Sequence, residues 1–245
     1  MLKPKKKWGQ NFLTDPNVSK KILKVLDSKP TDRILEIGPG QGALTSLINA
    51  KKIIAIEIDK NLCEVLSEKN ISNLEIINDN FLKTDLDSID FDKIIGNLPY
   101  NISSQIIFKI LNNNNWNKAV FMVQKELADR IISKEGSKKY GRISVMIQAM
   151  SDVKKEFNVS RNCFFPKPDV TSTIISLTNT KRLNFDYNKL ELIVKKCFSQ
   201  RRKKVKNVFP EISSYHQLNK YFDKRAEDLS IQDYIKISDI IKGLF

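Results

Sequence analysis

Short apolar runs of strand length alternate with stretches of helical spacing over much of this 245-residue chain, and that alternation narrows the possible folds more than any other feature. Residues 33–37, 52–58, 74–77, 93–95 and 119–123 are rich in Ile, Leu and Val, as buried strands are. Between them, 43–50, 61–69, 104–111 and 125–134 place apolar residues at helical spacing. Helices that return the chain between strands make neighbouring strands parallel. The expected fold is therefore α/β, a mostly parallel sheet with helices on both faces. An earlier helix is signalled by Asp15 as N-cap, Pro16 in the first turn and Val18, Ile22, Val25 and Leu26 on one face; it ends near Ser28-Lys29-Pro30.

Two later β-branched segments, 153–159 and 171–177, flank Phe164-Phe165-Pro166-Lys167-Pro168, whose prolines keep the connector extended. They are expected to pair at one sheet edge. After Thr180 the spacing is helical, with Leu190, Ile193, Val194, Cys197 and Phe198 on one face. Ser230-Ile231-Gln232-Asp233 has the form of a capping box before Tyr234, Ile235, Ile240 and Ile241. The expected organisation is an α/β domain over 1–180, opening with a flexible basic arm over 1–8, and a small all-helical domain over 181–245.

A hydrophobic fraction of 41% supports a full core. Lys and Arg number 42 against 28 Asp and Glu, a net charge of +14. Such an excess points to a polyanionic partner, nucleic acid first, although a lysine-rich genome bias raises the same count. Cys63, Cys163 and Cys197 form neither a disulfide framework nor a zinc pattern, and no apolar run approaches the ~20 residues of a membrane span. A soluble protein of the reducing cytoplasm is expected. His216 is the only histidine, which argues against Ser-His and Cys-His nucleophile systems and against a multi-histidine metal site, so no metal is expected.

Gly38, Gly40 and Gly42, within Glu36-Ile37-Gly38-Pro39-Gly40-Gln41-Gly42, follow the first strand of the alternating series and let the backbone approach a ligand that side chains would block. The spacing is G-x-G-x-G, whereas dinucleotide loops read G-x-G-x-x-G. S-adenosylmethionine is the better match, with NAD(P) as the alternative. Glu57 ends the next strand, where a carboxylate accepts hydrogen bonds from ribose hydroxyls, and Asp79 follows the third, where one accepts from an adenine amine.

Asn97-Leu98-Pro99-Tyr100 closes the run that starts at Lys93. An adenine amine is a poor nucleophile because its lone pair is delocalised into the ring, and acceptors for its hydrogens favour a pyramidal nitrogen. Asn97 Oδ1 and the Leu98 carbonyl supply two acceptors, and Pro99 fixes the turn. Tyr100 offers a face for stacking a base, worth roughly 1–3 kcal/mol, and Phe164 is the candidate for the opposite face. A sulfonium methyl is already electrophilic, so orientation suffices without a strong general base. Access between two rings requires an unstacked base, which favours an adenine in a loop. Arg201, Arg202, Lys203, Lys204 and Lys206 follow an amphipathic helix as a basic cluster suited to RNA phosphates.

These motifs closely resemble the ribosomal RNA adenine dimethyltransferases, in particular the bacterial small-subunit type. The resemblance spans almost the whole chain through Gly9-Gln10-Asn11-Phe12-Leu13, 36–42, 96–104, Gln124-Lys125-Glu126, Tyr140-Gly141-Arg142, 164–170 and 197–203. It implies a Rossmann-like class I methyltransferase fold with a seven-stranded sheet and a C-terminal helical domain. It implies that Asn11 and Leu13 border the cofactor, that Gly38, Glu57 and Asp79 bind it, that Asn97 contacts both cofactor and target amine, and that Tyr100 and Phe164 sandwich the base. The implied reaction is dimethylation of the N6 amines of two adjacent adenosines in the 3′-terminal hairpin loop of 16S rRNA, by a monomer acting in ribosome biogenesis. The 23S rRNA methyltransferases of macrolide resistance share several motifs and are the alternative, but Leu98 and Gln200-Arg201-Arg202-Lys203 favour the small-subunit type. A further alternative is an RNA-binding assembly checkpoint whose methylation is secondary.

Overall fold

The computed structural model describes residues 4–5, 8–113, 115–180, 185–210 and 215–241. Nine strands, β1 (Phe12–Leu13), β2 (Arg33–Ile37), β3 (Lys52–Glu57), β4 (Leu74–Asn78), β5 (Lys93–Asn97), β6 (Lys118–Gln124), β7 (Ser151–Val159), β8 (Phe164–Phe165) and β9 (Ser172–Asn179), are found among the described residues. Eight helices accompany them: α1 (Pro16–Leu26), α2 (Lys60–Ser67), α3 (Ser103–Leu111), α4 (Lys125–Ile131), α5 (Arg142–Met150), α6 (Tyr187–Ser199), α7 (Val205–Val208) and α8 (Ile231–Ile240).

Seven strands form one sheet in the order β4-β3-β2-β5-β6-β9-β7. The first five run parallel, and β9 is antiparallel to β6. The two late β-branched segments therefore do lie together at one edge, with β7 outermost. The chain moves outward from β2 through β3 to β4, then returns to β5 on the other side of β2. This reversal opens a crevice beyond the carboxyl ends of β2 and β5, where open α/β sheets bind ligands.

Local chemistry sets the elements. Asp15 accepts from the Asn17 and Val18 amides to cap α1, whose Ile22 and Leu26 pack with Leu13, Ile34, Ile53, Ile95 and Phe164. Residues 43–50 make a single 3₁₀ turn, Thr45–Leu47, instead of the expected helix. The Ser46 amide and hydroxyl both donate to the Gly42 carbonyl, at 3.2 and 2.9 Å, but Ile48 is already extended and ends the turn. Helix α5 and the β1–β8 ribbon have no counterpart among the sequence expectations.

The chain forms two compact units, 1–128 with 153–179 and 129–152 with 180–245. Residues 129–152, assigned by sequence to the first domain, thus cluster with the C-terminal helices. The reason lies in Tyr140 and α5. Tyr140 packs edge-on against Phe198 at 6.0 Å and donates to the Leu229 carbonyl at 3.0 Å, while Phe198 stacks on Tyr234. The capping box at α8 forms as expected, the Ser230 hydroxyl accepting from the Asp233 amide at 3.1 Å.

Candidate active site

The glycine loop is fastened to the strand beside it. Glu57, 5% exposed at the end of β3, accepts from the Gly40 amide at 3.1 Å and from the Asp59 amide at 2.9 Å. Burial pushes the Glu57 carboxyl above its usual range, against these amide bonds, which pull it down. Two glycines are favoured by their left-handed backbone, and an added side chain would also crowd its neighbours. A Cβ on Gly40, at φ +58°, would come 3.2 Å from the Phe12 ring, and one on Gly42, at φ +79°, would come 2.7 Å from Leu66 Cδ1. At Gly38 the same addition meets nothing within 4 Å, so this backbone faces open space in the crevice.

The lining is electrostatically one-sided. Glu36, Glu57 and Asp79 border the crevice, and no Lys or Arg is among its described lining residues. Asp79 is exposed and accepts from the Thr84 hydroxyl at 2.8 Å and the Asn80 amide at 2.7 Å, bonds that hold its carboxyl below the usual range. Three carboxyl groups without a counter-cation suit a cationic ligand such as a sulfonium, whose charge favours their ionised forms, and offer a pyrophosphate no partner. The NAD(P) alternative therefore fits the wall poorly, and S-adenosylmethionine fits it well.

At the end of β5 the Asn97 Nδ2 donates to the Asn11 carbonyl at 2.9 Å. This bond fixes the amide, and no described residue donates to its Oδ1. The Leu98 amide donates to the Met122 carbonyl at 3.1 Å, and the Pro99 carbonyl accepts from Ser103 Oγ at 2.7 Å and the Ile102 amide at 3.2 Å. No described residue donates to the Leu98 carbonyl, which leaves two acceptors at one strand end. Tyr100 is fixed by a 2.7 Å hydrogen bond between its hydroxyl and Ser172 Oγ. Burial raises its phenol, a shift that the Ser172 bond opposes, so the ring is neutral near pH 7. Asn11, Leu13, Gly38, Gly40, Glu57, Asp79, Asn97, Leu98, Pro99 and Tyr100 all border the one crevice.

Phe164 is not among the residues that line the crevice. It is 5% exposed in the core with Leu13 and Ile22, whereas Phe165 is 50% exposed. Side chains alternate along a strand, and the pairing of Leu13 with Phe164 turns that ring inward. The basic cluster is divided as well. Arg201 is held by Glu227 at 2.6 Å and by the Lys138 carbonyl at 2.9 Å, and Lys204 and Lys206 share Asp223 at 2.8 and 2.9 Å. Those two lysines hold the Asp223 carboxyl down to about 2. Arg202 and Lys203 are exposed, with no ion pair among the described residues.

The arm expected to be flexible is docked where it is described. Lys5 Nζ lies 2.7 Å from Asp59 Oδ1, Gln10 Nε2 lies 3.2 Å from Asp59 Oδ2, and Lys5 stands over the Trp8 ring at 4.7 Å. Burial pushes the Asp59 carboxyl up, yet the bonds from Lys5 and Gln10 outweigh it and hold the group ionised. Lys3, Lys6 and Lys7 lie outside the described residues. Trp8 lines the crevice too, and so do Gln10, Glu36 and Gln41, to which the sequence assigned no individual role although the last two lie inside the glycine motif.

Residues 1–243 match the family described as ribosomal RNA adenine dimethylase. The ribosomal RNA small subunit methyltransferase A of Malacoplasma penetrans is 46% identical over 245 residues, covering 95% of this chain and 90% of that protein. The crystal structure of a dimethyladenosine transferase from Plasmodium falciparum superposes with a TM-score of 0.82 at 29% identity, covering 92% of this chain and 95% of that one. The 23S rRNA methyltransferase ErmE has the same fold, with a TM-score of 0.72 at 23% identity over 93% of this chain and 98% of its own.

Proposed function

The chain belongs to the ribosomal RNA adenine dimethylase family, and we infer that its crevice is where the N6 amine of an rRNA adenosine is methylated. S-adenosylmethionine is the methyl donor and supplies, when bound, a methyl group on a positively charged sulfur. The observation that carries this reading is the lining of three carboxylates without a basic residue, inside a chain of net charge +14. A wall of this kind attracts a cation, while the rest of the surface attracts an RNA.

In this reading Glu57 and Asp79 hold the ribose and adenine of the donor, Gly38 and Gly40 give its amino-acid end close approach, and Asn11 and Leu13 border it. Asn97 Oδ1 and the Leu98 carbonyl accept the hydrogens of the target amine and draw its lone pair out of the ring. Pro99 keeps that turn rigid, and Tyr100 stacks on the base as a neutral ring. A monomethylated amine still carries one hydrogen, so the same acceptors serve the second transfer. Arg202 and Lys203 meet phosphates, with Lys204 and Lys206 beside them and Arg201 in a bracing role.

We place the substrate in 16S rRNA of the small subunit, at two adjacent adenosines of the 3′-terminal hairpin loop, with the protein acting as a cytoplasmic monomer in two domains. Leu98, Gln200-Arg201-Arg202-Lys203 and the similarity to small-subunit enzymes support this. Among the described residues no helix is long and apolar enough to cross a membrane. The test is incubation of small subunits, large subunits and naked rRNA with labelled donor, followed by mapping of modified adenosines. Dimethyladenosine in the large subunit alone would overturn the subunit assignment. Asn97→Ala is expected to lower incorporation by roughly 10²–10³-fold, as loss of a positioned transition-state acceptor does, with an unchanged circular dichroism spectrum.

A further inference from the structure

Phe165 is 50% exposed and Val170 40%, so the segment joining β8 to β9 carries two bare apolar side chains. Apolar side chains exposed as a group mark a contact surface where single ones do not. Residues of the crevice fix this segment at both ends. In the β1–β8 ribbon Phe165 lies directly opposite Phe12, and such cross-strand partners project from one face with Cβ atoms about 4.5–5.5 Å apart. Phe12 lines the crevice beside Gly40, so the Phe165 ring stands on the crevice side of the ribbon, at the rim. At the far end Ser172 opens β9, and its hydroxyl meets the Tyr100 hydroxyl at 2.7 Å. The segment thus runs along the crevice mouth from the ribbon to Tyr100.

Cations flank the ring. Arg161 and Lys167 are exposed, without an ion pair among the described residues, and Arg161 Nη1 donates to the Asp169 carbonyl at 2.9 Å. Asp169 is the one acidic residue in 160–172, so the segment is net positive. An exposed ring among cations has the form of a platform for single-stranded RNA, on which a base stacks while the cations follow the backbone. We propose that Phe165 stacks the nucleobase next to the adenosine held in the crevice, with Arg161 and Lys167 meeting the phosphates on that side. This rests on the crevice being the site of adenosine methylation, and it gives the second of two adjacent adenosines a place while the first reacts. Stacking uses the face of a base and not its N6 amine, so the platform holds an unmodified and a dimethylated neighbour alike.

The test is titration of a labelled RNA hairpin whose loop holds two adjacent adenosines, with S-adenosylhomocysteine present. Each adenosine is replaced in turn by an abasic residue, leaving the other to enter the crevice. The wild type is expected to lose about fivefold or more in affinity when the platform has no base to stack. Phe165→Ala is expected to bind the intact hairpin about fivefold or more weakly and to respond to the abasic change by less than about twofold, because both remove one contact. Phe165→Trp should keep full binding and Phe165→Leu should not, which separates stacking from apolar contact alone. Additive losses from the variant and the abasic change, or full binding by Phe165→Leu, overturn the assignment. A wild type that binds the loop no better than a fully paired duplex overturns the loop-adenosine reading itself, a separate result.

Discussion

Glu36 shows how a single buried carboxyl makes stability depend on pH. Burial, reinforced by the nearby Glu57 charge, pushes its carboxyl from 4.5 up to about 7. The folded chain therefore holds a proton that the unfolded chain has released between those two values. Stability from this group is present below pH 4.5, falls as the pH rises to about 7, and is level beyond, a loss of roughly 3 kcal/mol. Glu57 shifts in the same direction, so it adds to the slope. Without donor, Glu36→Gln is expected to be more stable than the wild type at pH 8 by up to that amount, with a flatter dependence between pH 5 and 8. Urea unfolding at both pH values measures it. An unchanged slope in the variant would show that Glu36 is not the group responsible.

At the scale of elements, the strands follow from their sequence, with β2 matching its expected span and β3 shorter by a single residue. Ile and Val runs of this length favour a pleated, doubly covered strand wherever they occur. The 3₁₀ turn at Thr45–Leu47 departs from its pattern because the segment is too short to nucleate a helix and Ile48 is already extended. The β1–β8 ribbon departs further. Each strand has two residues, too few for any periodicity to register, and their pairing decides which of two adjacent phenylalanines enters the core. Phe164→Ala is expected to destabilise by roughly 3–5 kcal/mol, as removal of a buried ring does, and Phe165→Ala by less than about 0.5 kcal/mol. Thermal unfolding of the two variants separates them, and equal shifts would contradict the inward placement of Phe164. Both rings look alike in the sequence, so the motif alone does not say which of them is buried.

Across the whole molecule, the +14 charge is one number in the sequence and several different things in the fold. Lys5 clasps Asp59, Arg201 braces Glu227, and Lys204 with Lys206 neutralise Asp223, so only part of the excess is free to meet an RNA. Replacing Arg202 and Lys203 together by Gln should flatten the plot of log binding constant against log salt by roughly 1.4–1.8, two phosphate contacts' worth. Arg201→Gln should instead lower the melting temperature with little change in that slope. Titrations at several salt concentrations decide between them, and a larger salt effect from Arg201 would reverse the division. The sequence by itself determined the parallel sheet, the glycine loop, the Asn97–Tyr100 turn and the family, because strand length, turn chemistry and motif spacing are local properties. Only the tertiary structure decided that Phe164 faces inward, that residues 129–152 join the C-terminal helices, that Arg201 is a brace and that three carboxylates share one unbalanced wall. Each of those depends on which distant segments meet, as Leu13 meets Phe164, and a pattern read along the chain carries no record of its partners.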